Sequence, residues 1–131
     1  MSKRTILVVD DDIDLVEIIR VTLEHAGYEV IDAQTGARGL DLARERSPDM
    51  IILDVMMGEV DEGFQVAYQL RQGDDTRDIP IVMLTAVADQ TGFKFDPDKD
   101  SDFLPVNEFL EKPISPRQLL DVVRKNLPTT I

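Results

Sequence analysis

The sequence of 131 residues contains no cysteine, few basic residues and no long apolar run. Without cysteine, disulfides, thiolate metal sites and cysteine nucleophiles are all excluded. Lysine and arginine together number 14, against 26 aspartates and glutamates, and the formal net charge is −12. This balance argues against a broad basic face that would bind nucleic acid phosphates or an anionic membrane.

The amino terminus, MSKRTILVV, has two basic residues and an apolar stretch that is too short for a signal peptide. No later stretch is long enough to span a bilayer. We therefore expect a cytoplasmic protein. A length of 131 residues with 43% hydrophobic content fits one compact domain, so we expect a single domain over 1–131 with no output domain.

Short β-rich runs alternate with segments of helical periodicity along the chain. This alternation is typical of a parallel sheet that is covered by helices on both faces. The predicted strands span residues 5–10, 28–33, 49–54, 80–84 and 107–111.

Helix starts are marked by capping residues. Asp12 can cap a first helix that stops at Gly27. Its inner side should carry six residues: Leu15, Ile18, Ile19, Thr22, Leu23 and Ala26. Thr35 opens a second helix, with Ala37, Leu40 and Ala43 turned inward.

Two further helices are predicted. A fourth crossover helix, which the alternation of strands and helices would require between the last two strands, is not predicted. The third covers about 64–72 and buries Ala67 and Leu70. The last begins at Ser115, which combines a capping box with proline at the first helical position. Between 85 and 107, glycine, two prolines and several aspartates favour an irregular loop in place of a fourth crossover helix.

The carboxyl ends of the strands carry reactive side chains. Ligands of parallel α/β sheets bind beyond these ends. The first strand ends in Asp10 and Asp11, the third in Asp54, the fourth in Thr85 and the fifth just before Lys112. Each residue alone has an ordinary structural explanation, but together three acids, a hydroxyl and an amine meet at one edge.

The crowding of acids after the first strand needs a compensating partner. Two like charges about 4 Å apart cost roughly 4 kcal/mol at an effective dielectric constant near 20. A bound cation, a helix amino terminus or solvation could each offset this repulsion. Asp12 fits the helix cap, and Asp14 lies in the first turn, where negative charge complements the helix dipole.

Four stretches, VVDDD, IILDVMM, VMLTA and FLEKP, resemble the response-regulator receiver domain of two-component signalling. The resemblance covers about residues 4–127. It implies a flavodoxin-like, doubly wound α/β fold with a five-stranded parallel sheet in the order 2-1-3-4-5 and helices on both faces. It also implies a phospho-accepting signalling domain, here apparently stand-alone, that catalyses only its own phosphorylation and dephosphorylation.

The resemblance implies a role for each matched acid. Asp54 would accept a phosphoryl group from a histidine kinase or a phosphotransfer protein. Mg²⁺ would be held by Asp11, Asp54, the backbone carbonyl of Met56 and, through a water molecule, Asp10.

The same resemblance implies a switch. Lys112 and Thr85 would contact the transferred phosphoryl group, and Thr85 together with Phe109 would change position on phosphorylation. Output would then pass to an unknown protein target, without direct contact to nucleic acid or membrane.

Two segments depart from the family pattern. Gly58 stands where the family has proline, and GEVDEGF adds one residue to the loop after Asp54, which bears on kinase recognition. The segment 87–106 is expected to form an irregular loop in place of the helix that carries much of the family's output surface.

Two other functions remain as alternatives. A haloacid-dehalogenase-like phosphotransferase would use Asp10 as its nucleophile, although Ile13 replaces the expected threonine or valine. A calcium-binding module at 96–107 would use the aspartates of DPDKDSD, although Ser101 occupies the position of the required glycine.

Overall fold

The computed structural model describes residues 4–54, 62–85, 108–112 and 114–127, with the backbone alone for 62–64 and 85. Five strands and four helices are found in the described residues, and their bounds lie within one or two residues of the predicted ones. The strands are β1 (Thr5–Val9), β2 (Glu29–Ala33), β3 (Met50–Asp54), β4 (Ile81–Thr85) and β5 (Glu108–Glu111). The helices within the described ranges are α1 (Ile13–His25), α2 (Gly36–Arg46), α3 (Glu62–Gln72) and α4 (Pro116–Asn126).

All neighbouring strands pair in parallel, in the order β2-β1-β3-β4-β5. The fold class and strand order expected from the sequence are therefore confirmed. In the register between β1 and β3, Val9 lies opposite Leu53. This register sets the residues that follow, Asp10 and Asp54, side by side at the carboxyl edge of the sheet.

Each face of the sheet has its own hydrophobic core. In β1, Leu7 and Val9 point into a core shared with α2 and α3, while Ile6 and Val8 point into one shared with α1 and α4. Because β1 lies between two strands and is covered on both faces, residues 6–9 are all buried, and the strand reads as a continuous apolar run.

The predicted helix caps are confirmed. Asp12, Thr35 and Ser115 each accept a hydrogen bond on the side chain from the backbone N–H three residues later. Gly27 follows the end of α1 with a positive φ of 100°, which favours glycine. Local side-chain chemistry thus sets where these helices begin and end.

The predicted inner faces of α1 and α2 are partly wrong. The buried residues of α1 are Val16, Ile19 and Leu23, whereas Ile18 is 56% exposed. Residue 18 lies about 100° around the helix from residue 19, so it leaves the buried stripe. Ala37 is exposed for the same reason, because it lies away from the stripe that α2 turns toward the sheet. Ala26 is exposed because it follows the last turn of α1 as its C-cap.

Some expectations fall on the remaining residues. The irregular loop predicted at 87–106 and the altered loop at 57–63 lie outside the described residues, apart from the backbone of 62–63. Across the described ranges, none of the helices is long and apolar enough to cross a membrane.

Candidate functional site

Two buried carboxylates form the floor of the site. Asp10 follows β1, and its backbone N–H donates to the carbonyl of Ala33 at 3.0 Å, so it continues the hydrogen bonding between β1 and β2. Asp54 is the last residue of β3. Asp10 is 0% exposed and Asp54 is 3% exposed. Backbone pairing therefore fixes the backbone positions of both residues at the edge of the sheet.

A third carboxylate completes an acidic cluster. Asp10, Asp11 and Asp54 each place one carboxylate oxygen within 4.8 Å of the others. Asp11 is exposed, unlike the other two. The cluster therefore has a buried floor and one side that is open to solvent.

Lys112, directly after β5, reaches this cluster. Its Nζ donates to Oδ2 of Asp54 at 3.2 Å and lies 3.6 Å from Oδ2 of Asp10. In the strand order β1-β3-β4-β5, the lysine crosses the end of β4 to reach Asp54 and also the end of β3 to reach Asp10. A long, flexible side chain is needed at this position, and the side chain is 28% exposed.

Asp10 is held in an electrostatically unfavourable position. Its Oδ1 accepts the backbone N–H of Asp12 at 2.9 Å, while its buried Oδ2 has no hydrogen-bond partner among the described residues. Burial, reinforced by the neighbouring charge of Asp54, raises the pKa of Asp10 to about 7. The N–H of Asp12 and the ammonium of Lys112 oppose this rise in pKa without cancelling it.

The residues present fit a divalent cation. A buried carboxylate oxygen without a hydrogen-bond partner requires an explanation, and a metal ligand is a common one. The cluster offers carboxylate oxygens alone, the hard ligands that Mg²⁺ prefers. Three carboxylates and one ammonium leave a formal charge of −2 when all are ionised, which a divalent cation would neutralise.

The structure brings together four of the site residues that were predicted from sequence: Asp10, Asp11, Asp54 and Lys112. Thr85 is the last residue of β4, and its side chain lies outside the described part, as does all of Met56. Phe109 in β5 is half-buried and packs against the core on the side of α2 and α3. Its part in a switch stays a prediction.

The sequence analysis missed a groove beside the acidic cluster. It has a volume of about 310 Å³ and lies between the start of α1 and the segment that follows β5. The available signal was an apolar residue of α1 outside its buried stripe, Ile18, which lines the groove and is 56% exposed. The lining residues are Asp12, Asp14, Leu15, Ile18, Lys112 and Ile114.

Comparison with known families agrees with the fold and with this site. The family model described as the response regulator receiver domain matches residues 6–124. The chain therefore belongs to the response-regulator receiver family, and its acidic pocket fits the phospho-acceptor site of that family.

Individual relatives support the same assignment. The chain is similar to the DNA-binding dual master transcriptional regulator RpaA of Synechocystis sp., with 38% identity over 95% of this chain and 49% of that protein. It is also similar to the crystal structure of a putative response regulator from Chloroflexus aurantiacus, with a TM-score of 0.83 and 32% identity over 98% of this chain and 100% of that one. A third is the chemotaxis response regulator CheY4 of Vibrio cholerae, with a TM-score of 0.81 and 30% identity over 95% and 99% of the two chains.

The chain spans about half the length of the curated relatives it matches. Their further activities are therefore not carried over to it. The expectation of a single domain without an output domain stays a prediction.

Proposed function

We propose that Asp54 accepts a phosphoryl group from a phosphohistidine of a histidine kinase or a phosphotransfer protein. One observation carries this proposal. The carboxylate of Asp54 lies at the end of the central strand β3, is in contact with the ammonium of Lys112, and adjoins two further carboxylates. A nucleophile, a phosphate-binding cation and a metal-binding cluster thus meet at one point.

The chemistry suits these residue types. A carboxylate is a weak nucleophile, so phosphoryl transfer depends on positioning and on neutralisation of charge. An oxygen of Asp54 forms a bond to phosphorus while the bond from phosphorus to the histidine nitrogen breaks, and that nitrogen takes up a proton. Lys112 would pair with the phosphoryl oxygens, and Thr85 would donate its hydroxyl to one of them.

The proposed cofactor is Mg²⁺. Asp11, Asp54, the backbone carbonyl of Met56 and, through a water molecule, Asp10 would hold it. The ion supplies positive charge that offsets repulsion between the carboxylates and the incoming phosphoryl group. The chain would catalyse only its own phosphorylation and dephosphorylation. We place both the chain and its phosphodonor in the cytoplasm.

Signal output is proposed to pass through Thr85 and Phe109 to a protein target. RpaA is named as a DNA-binding regulator. This chain has a net charge of −12, which favours a protein target over direct contact with nucleic acid.

The proposal is tested by phosphorylation with a small-molecule phosphodonor and Mg²⁺, followed by peptide mapping. We expect one acid-labile phosphoryl group on Asp54 and none in Asp54→Asn. Asp12→Asn is the matched control, because Asp12 caps α1 and asparagine caps a helix equally well. Equal labelling of wild type and Asp54→Asn would overturn the assignment.

The same experiment separates the phosphotransferase alternative. Asp10 is fully buried, and its raised pKa keeps much of it protonated near neutral pH, which makes it a poor nucleophile. Label on the peptide that contains Asp10, together with steady turnover of a phosphate ester, would revive that alternative. The calcium-binding alternative concerns 96–107, of which only 107 borders the described residues, and no observation favours it.

A further inference from the structure

Lys112 touches two acids at once. Its Nζ lies 3.2 Å from Oδ2 of Asp54 and 3.6 Å from Oδ2 of Asp10. Both carboxylates are almost completely buried, with side chains that are 4% and 0% exposed. The ammonium is thus placed where it lowers the repulsion between two carboxylates that have little contact with water.

The contact with Asp10 has a particular consequence. Oδ2 of Asp10 has no hydrogen-bond partner among the described residues, and 3.6 Å is too long for a hydrogen bond. The oxygen is therefore stabilised by the charge of Lys112 rather than by a bond that a neutral donor could replace. Removing the ammonium would take away the nearest positive charge from an ionised Asp10 in the metal-free protein.

A divalent cation would use the same carboxylates. The cluster that fits the cation consists of Asp10, Asp11 and Asp54, and two of these three are in contact with Lys112. A positively charged ligand and a positively charged side chain repel each other when they share the same oxygens. An interaction that stabilises the metal-free form and is weakened in the metal-bound form must lower the metal affinity by the corresponding factor.

We propose that Lys112 is an internal competitor of the divalent cation, whose ammonium stabilises the metal-free acidic cluster and so weakens Mg²⁺ binding. This inference rests on the proposed function, which places Mg²⁺ at the cluster. Lys112 would thus affect the metal site through the carboxylates it contacts, in addition to its proposed contact with the phosphoryl group. The metal-free site is thereby kept folded, and its metal affinity is held below what three carboxylates alone would give.

The test is Mg²⁺ binding measured by isothermal titration calorimetry on the full chain, at a pH well above the pKa of Asp10 in wild type and in each variant, because the loss of Lys112 raises that pKa further. We expect Lys112→Met to bind Mg²⁺ roughly five- to tenfold more tightly than wild type. The matched control is Lys125→Met, which removes the same charge from an exposed lysine that pairs with Glu108 at 3.3 Å. Its affinity should stay close to that of wild type, because screening weakens an effect of net charge alone.

A second measurement follows stability rather than Mg²⁺ affinity. Melting in the presence of EDTA should show Lys112→Met less stable than Lys125→Met, and saturating Mg²⁺ should narrow or reverse that difference. Lys112→Gln, which keeps a polar side chain, serves as a second variant and should shift the Mg²⁺ affinity in the same direction.

The outcomes are distinct. Mg²⁺ binding by Lys112→Met that is equal to or weaker than wild-type binding, or equal to that of Lys125→Met, overturns the competition and leaves the metal site standing. An absence of Mg²⁺ binding in wild type and all variants overturns the proposed metal site and the competition together.

Discussion

The fold buries Asp10 in a place where the negative charge of its carboxylate is unfavourable. Backbone pairing continues through Asp10 and buries its carboxylate, while Asp54 lies beside it. A carboxylate whose pKa is raised from 3.8 to about 7 binds a proton more tightly in the folded state than in the unfolded state. Its contribution to stability is therefore fully present below pH 3.8 and is lost as the pH rises to about 7.

We predict that Asp10→Asn stabilises the metal-free protein in a pH-dependent manner. Between about pH 4 and pH 8, the free energy of unfolding of the variant should gain roughly 2–4 kcal/mol relative to wild type. The reason is that the amide does not ionise, and its oxygen can still accept the N–H of Asp12. Urea unfolding in EDTA across this pH range measures the difference.

The matched control is Asp41→Asn, on the exposed side of α2, which removes the same charge from the surface. The difference in free energy of unfolding between Asp41→Asn and wild type should stay nearly constant with pH. If the difference in free energy of unfolding between Asp10→Asn and wild type is also constant with pH, the unfavourable charge does not lie on Asp10.

At this scale, the sequence predicted the identity of the acids and the capping role of Asp12, but it did not predict that Asp10 is buried while Asp11 is exposed. The structure makes Asp10 a buried floor, Asp11 an exposed member of the cluster and Asp12 a helix cap. These differences arise from the register of β1 against β3 and from Lys112, which is distant in sequence.

The elements depend on each other through close packing next to the site. Gly39 of α2 lies against Val9, the last residue of β1. A Cβ placed on Gly39 would lie 2.8 Å from Cγ2 of Val9. The missing side chain thus lets α2 approach the strand that carries Asp10.

We predict that Gly39→Ala lowers the free energy of unfolding by about 1–3 kcal/mol. The better helix propensity of alanine, about 1 kcal/mol, offsets part of the steric cost. Val9→Ala provides space for the added methyl group, so the double variant should lose less stability than the sum of the two single variants by about 1 kcal/mol. Equilibrium urea unfolding of the four proteins gives this coupling energy, and strict additivity would show that the contact does not limit the packing.

The ends of the elements were more predictable than their faces. Caps such as Asp12 and Ser115 act on the backbone three residues away, so the sequence alone contains the signal. Which side of α1 is buried depends on how the helix lies on the sheet. The pattern of α1 contains apolar residues on two sides, and the exposed Ile18 was therefore assigned to the wrong one.

For the whole molecule, the strand order could be predicted through the family resemblance, and the alternation of strands and helices from periodicity. The convergence of Asp10, Asp54 and Lys112 followed from the rule that parallel strands present their carboxyl ends at one edge. The distances between these groups could not be predicted, because they depend on the side-chain conformations of Asp10, Asp54 and Lys112. The predicted roles of Thr85, Met56 and Phe109 stay predictions.

The net charge of −12 gives the last prediction, which separates general screening from binding at a site. Both NaCl and MgCl₂ should raise the melting temperature, because added ions screen repulsion among surface acids. At matched ionic strength, MgCl₂ should stabilise the protein further. With free Mg²⁺ at about ten times its Kd, the excess should be about 1.4 kcal/mol, or about 5 °C. Asp54→Asn removes a ligand from the cluster, so it should keep the response to NaCl and lose most of the excess with MgCl₂. Equal melting temperatures in the two salts for wild type would mean that Mg²⁺ acts only by screening.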